Sequence, residues 1–168
     1  FYPNKQMTTG EGGIILTDNE KVAKLCQSLR NQGRDPDAGW LAHARLGYNF
    51  RLSDINCALG IAQLKRLESF IVKRQKVADL YRHYLGGEPR ICLPPCPVAA
   101  QSRMSWFVYV IRLQDEFGLA DRDKCMAFLR QHGIGCNNYF SPIHLQPFMV
   151  EKFGYKRGDF PVTERVPI

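Results

Sequence analysis

The sequence predicts an α/β chain in three parts: the end of one α/β unit over 1–50, a long connecting helix over 51–87, and a small α+β domain over 88–168. Three observations carry this prediction. A glycine-rich turn feeds a short apolar run and then a helical pattern within the first thirty residues. An apolar stripe at helical spacing continues from Ser53 to the pair Gly86-Gly87. After it, the periodicity changes to strand, helix and strand.

Residues 1–13 are turn-rich, with Gly10, Gly12 and Gly13. Ile14–Leu16 reads as a short strand. Thr17 followed by Glu20 matches a capping box. The helix it opens places Val22, Leu25, Cys26 and Leu29 on one face, and Gly33 stops it. Residues 34–50, with Pro36, Gly39 and Gly47, read as an irregular loop. Ser53 caps the long helix, and Asp54 sits in its electropositive first turn. Residues 88–105 are proline-rich and extended. Trp106–Leu113 reads as a strong strand, apolar on both faces. Asp121 caps a further helix that Gly133 ends, a short strand follows near Ile134–Tyr139, and the last thirty residues are loop-like.

Composition narrows the function. Apolar residues make up 45% of 168, enough to fill a core, and no run of about 18 uncharged apolar residues suggests a membrane span. The formal charge of +7 is spread along the chain, with one cluster at Lys65, Arg66, Lys73, Arg74 and Lys76 that fits a solvated helix face. No nucleic-acid motif accompanies it, so neither nucleic acid nor membrane is an expected partner. Cys92 and Cys96 have no histidine near them, and no metal is expected. The six cysteines fit reduced, buried thiols of a cytoplasmic protein. The chain starts on Phe1 without a leader-like segment and ends on Pro167-Ile168 inside apparent structure, which reads as an excerpt of a longer protein.

Three motifs carry chemistry. In Asn4-Lys5-Gln6-Met7-Thr8-Thr9-Gly10-Glu11-Gly12-Gly13 a lysine leads a polar, glycine-rich turn. Glycines let the backbone approach a ligand, hydroxyls and amides suit phosphate, and a partly desolvated lysine attacks aldehydes. Read alone, the same residues also describe a surface hairpin. In Gly47-Tyr48-Asn49-Phe50-Arg51-Leu52-Ser53-Asp54 an amide and a guanidinium lie beside a helix N-terminus, a setting for an anion or simply a capped helix with a surface arginine. Ser141-Pro142-Ile143-His144-Leu145-Gln146-Pro147 sets a lone histidine among prolines, a pattern more often structural than catalytic.

The first two motifs together resemble the signatures of the DegT/DnrJ/EryC1/StrS aminotransferases, over Phe1 to about Glu164. The resemblance implies a fragment of a pyridoxal-phosphate-dependent transferase of fold type I. It implies transfer of an amino group from an amino acid, glutamate as expected donor, to a keto-sugar, commonly nucleotide-linked. By match, Lys5 is the lysine that holds pyridoxal 5′-phosphate. A branch of the family with histidine there dehydrates instead, so lysine favours transamination. Asn49 takes the role of a phosphate contact reaching the neighbouring subunit's site in a homodimer, with Arg51 beside it. His144 matches a Pro-x-His stretch near the substrate entrance. Glu11 receives no role beyond ordering the turn. The acid that pairs with the pyridine nitrogen and the ring-stacking aromatic precede the lysine in the family, so this chain is expected to be an inactive part of its parent enzyme. The alternative is a non-catalytic regulatory member of the same family.

Overall fold

The computed structural model describes residues 1–35, 39, 42–95 and 102–165. Pro36, Cys96, Pro167 and Ile168, named above, lie outside them, as do residues 96–101 of the proline-rich stretch. The first helix, α1, spans Glu20–Arg30. Its cap is Asn19, not Thr17. The Asn19 side-chain oxygen accepts the amides of Lys21 and Val22 at 3.0 and 3.2 Å, satisfying two free donors of the first turn. The Thr17 hydroxyl accepts only the Asn19 amide, at 3.1 Å, one step too early to cap.

Gly33 ends α1 as expected. At φ 74° its amide donates to the Ser28 carbonyl at 2.8 Å. The loop then returns along its own path: Tyr48 N–H donates to Leu29 O at 2.7 Å and Phe50 N–H to Arg30 O at 2.9 Å. Isolated bridges join Asn31 to Asn49 and Arg34 to His43. The described part of 34–50 is thus irregular but stitched to α1.

Helix α2, Asp54–Leu85, runs for 32 residues. Ser53 Oγ accepts the Asn56 amide at 3.3 Å, and Asp54 complements the dipole. Gly86 closes the other end by donating to Arg82 O at 2.9 Å. Both ends fall where the caps predict.

The strands differ from expectation. Ile14–Leu16 forms none; the three side chains are 67%, 69% and 82% exposed. A strand exists through the hydrogen bonds of a neighbour, and among the described residues none pairs with this run. Of Trp106–Leu113 only Arg112–Leu113, β2, is paired. It runs antiparallel to β1, Ile91–Cys92, with Ile91 opposite Leu113. Trp106, at φ 45°, breaks the extended path. Ile134–Tyr139 is also unpaired.

Helix α3 spans Leu119–Gln131 and starts at Gly118, before the expected Asp121. Asp121 is its third residue, and the carboxylate reaches back to the Gly118 amide at 3.1 Å. The final stretch, expected as loop, holds a 3₁₀ turn at Ile143–Leu145 and two short helices, α4 (Pro147–Phe153) and α5 (Pro161–Glu164). Each short helix opens on a proline, whose fixed φ suits the first turn.

The described residues group into two compact units, 1–80 with 102–108 and 81–95 with 109–165. The long helix is therefore shared between units. Few side chains among the described residues are buried: Thr9, Ser28, Ala78, Pro142 and His144. The five described cysteines are free, and all are half-buried or exposed rather than buried as the sequence suggests. No helix among the described residues is long and apolar enough to cross a membrane.

Candidate active site

The Lys5 turn is built by its own polar groups. Lys5 N–H donates to Tyr2 O at 3.1 Å, and the Thr9 amide and Thr8 hydroxyl donate to Phe1 O at 3.1 and 3.0 Å. Thr8 Oγ1 accepts the Gly10 amide at 2.9 Å, and the Thr9 hydroxyl donates to the Glu11 carbonyl at 2.5 Å. Glu11 orders the turn through its backbone. Gly12 is required: its φ is 140°, and a Cβ there would meet Thr9 Oγ1 at 2.9 Å and Leu52 Cδ1 at 3.0 Å. Thr9 is buried against α2, where a Cβ on Gly60 would lie 3.0 Å from its methyl. The two sequence motifs therefore meet through Thr9, Gly12 and Leu52.

Lys5 itself is exposed, not held in a dry cleft as the sequence suggests. Its Nζ lies 4.1 Å from the centroid of the Phe107 ring. Arg74, on α2, donates from Nη2 to the Lys5 carbonyl at 3.1 Å. Gln6 Nε2 donates to Ser105 Oγ at 2.7 Å. Among the described residues no carboxylate pairs with Lys5. Phe107 and Arg74 were not singled out by sequence. Arg74 reads there as one more charge in a basic helix, and Phe107 as a strand residue; the only signal was their aromatic and cationic character.

Asn49 and Arg51 are exposed neighbours, with Arg51 Nε donating to Asn49 Oδ1 at 2.6 Å. Tyr48 and Phe50 stack beside them at 4.9 Å. Arg51 and the Glu11–Gly13 turn line one open groove of about 1200 Å³, walled by Ile14, Leu16, Cys26 and Phe50. The structure thus brings Arg51 and the glycine turn together; among the described residues neither Asn49 nor Arg51 bonds to Lys5.

His144 belongs to the second unit and is 4% exposed. Its Nε2 lies 2.8 Å from Glu164 Oε1, and its ring packs on Phe160 at 4.7 Å. Glu164 also accepts the Gly158 amide at 2.9 and 2.8 Å and the Phe160 amide at 3.3 Å. The Gly158 amide, followed by His144 and the Phe160 amide, holds the Glu164 carboxyl below its ordinary range.

Comparison with known proteins decides the kinship of this arrangement. The profile described as "DegT/DnrJ/EryC1/StrS aminotransferase family" matches residues 1–167. The chain belongs to this family. It is 32% identical to the uncharacterized protein MJ1066 of Methanocaldococcus jannaschii over 99% of the chain and 45% of that protein. It is 30% identical to the spore coat polysaccharide biosynthesis protein SpsC of Bacillus subtilis over 96% of the chain and 43% of that protein. Among solved structures, S. venezuelae DesV superposes with a TM-score of 0.79 at 26% identity, over 99% of this chain and 42% of DesV. The fold is accordingly part of the fold type I transferase architecture. The chain spans less than half the length of the curated relatives it matches.

Proposed function

We propose that the chain is part of a pyridoxal-phosphate-dependent enzyme that moves an amino group from an amino acid, glutamate as the expected donor, to a nucleotide-linked keto-sugar. One observation carries the reading: Lys5 presents an exposed amine, without an ion pair among the described residues, at the head of a turn ordered by the Thr8 and Thr9 hydroxyls and the close-packed Gly12. Family membership and the sugar-polymer role in the name of SpsC support it. Turnover is proposed for a polypeptide of the relatives' length rather than for these 168 residues alone.

The residues present suit a cofactor with an aldehyde and a phosphate. The Lys5 amine has no ion pair among the described residues, and Arg74 Nη1 is a buried donor without a hydrogen-bond partner among them. Lys5 Nζ would hold the cofactor covalently and, when displaced, would take the proton from the donor Cα and deliver it to the cofactor's aldehyde-derived carbon. The cofactor, when bound, supplies the electron sink. Thr8 and Thr9 order the turn.

The proposed assembly is a homodimer with shared sites. Asn49 and Arg51 would reach the phosphate in the neighbouring subunit, for which their exposure, and that of Leu46 (83%) and Phe50 (71%), is the support. His144 enters as a substrate-side residue, its Nε2 held by Glu164. The free thiols fit a cytoplasmic setting.

The test is borohydride reduction of the protein isolated from its source, followed by peptide mass spectrometry. A phosphopyridoxyl adduct on Lys5, absent in Lys5→Ala, is expected. No adduct in protein of full length supplied with pyridoxal phosphate would overturn the reading and leave a non-catalytic family member.

A further inference from the structure

Residues 103–107 are fastened on three sides. Arg103 donates to Glu68 Oε2 on α2 at 2.9 Å, Ser105 accepts from Gln6 at 2.7 Å, and Trp106 Nε1 donates to Gln75 Oε1 on α2 at 2.8 Å. Between these anchors Trp106 adopts φ 45°, a conformation a bulky residue keeps only where its surroundings impose it. The turn in direction at Trp106 sets the ring of the next residue, Phe107, under Lys5 Nζ at 4.1 Å. At the base of the residue, Arg74 Nη2 fixes the Lys5 carbonyl at 3.1 Å. Both the base and the tip of the Lys5 side chain are thereby located, though the side chain itself is exposed.

We propose that Phe107 is the positioning residue for Lys5 in its free, protonated state. An ammonium is attracted to the negative face of an aromatic ring, whereas a neutral amine is not. The ring therefore provides a defined seat for Nζ whenever the lysine carries the proton and no covalent bond. The inference rests on the reading of Lys5 as the cofactor lysine. In that reading displaced Lys5 becomes an ammonium once it has taken the Cα proton, and Phe107 holds that ammonium near the place where the proton must be delivered. Arg74 is the charged group facing Lys5 from α2; its bond is to the backbone and leaves Nζ free to move.

The test uses full-length, cofactor-free protein and reductive methylation by formaldehyde with cyanoborohydride at neutral pH. Labelling of Lys5 is read by peptide mass spectrometry against the other lysines as internal standards. Phe107→Leu is expected to raise Lys5 labelling about two- to fivefold, the range for loss of an exposed cation–π contact, and Phe107→Tyr to restore the wild-type value. Equal Lys5 labelling in all three proteins would overturn the proposal. A parallel sample with pyridoxal phosphate and borohydride separates the two ideas. Lack of an adduct on wild-type Lys5 sinks the cofactor reading; an adduct together with equal methylation sinks only the role of Phe107.

Discussion

At the scale of single residues, the backbone contact between Gly33 and Gly47 fixes the loop that leads to Asn49 and Arg51. A Cβ on Gly33 would lie inside the Arg45 carbonyl, and one on Gly47 inside the Gly33 amide. Gly33 also needs φ 74°. Gly33→Ala should therefore destabilise the protein by at least about 1–3 kcal/mol, the cost of a strained φ before any clash. Urea unfolding measures it, and a loss under 0.5 kcal/mol would show that the loop repacks freely. The sequence made Gly33 visible as a helix stop but not as a close neighbour of Gly47, because proximity across 14 residues leaves no local pattern. Lys5 shows the same division. Its chemistry is legible in the motif that follows it, while its seat on Phe107 depends on a contact 102 residues away.

At the scale of elements, helices were legible and strands were not, for one physical reason. A helix satisfies its backbone internally, so Ser53 and Gly86-Gly87 suffice to bound 32 residues. A strand needs a neighbour. Ile14–Leu16 and Ile134–Tyr139 have suitable composition but no described partner, and Trp106–Leu113 pairs over two residues only. The short helices near the C-terminus were missed because α5 is only four residues long and is held by a tertiary contact, the Glu164 carboxylate. That contact makes the region acid-sensitive. The Glu164 carboxyl is held below its ordinary value of 4.5, chiefly by the Gly158 amide, so its contribution is present above that value and is lost as pH falls through the lower folded value. Hydrogen-exchange protection of the Gly158 and Phe160 amides, corrected for intrinsic rates, should fall on acidification below that point. In Glu164→Gln it should already be weak at pH 6 and lack this acid step. Unchanged protection in the variant would show that the turn stands without the carboxylate.

At the scale of the whole molecule, the decisive feature is how little these residues bury. Ile14, Ile15 and Leu16 are each at least two-thirds exposed and wall the same groove as Arg51 and Phe50. Full burial of such a side chain contributes about 1.5–3 kcal/mol, so three of them represent an unrealised stabilisation comparable with the net stability of an ordinary domain, about 5–15 kcal/mol. Contiguous apolar surface of this kind is a site of association. The 168-residue chain prepared by itself should bind a hydrophobic dye such as anilinonaphthalene sulfonate and elute from size exclusion as oligomers. Ile15→Lys should lower both signals while leaving helical circular dichroism unchanged, since Ile15 lies outside every helix. A chain that stays monomeric and dark to the dye would mean that residues 14–16 fold back onto the groove they line here. Lower dye binding with lost helicity would instead mean that the run supports α1 against the Lys5 turn.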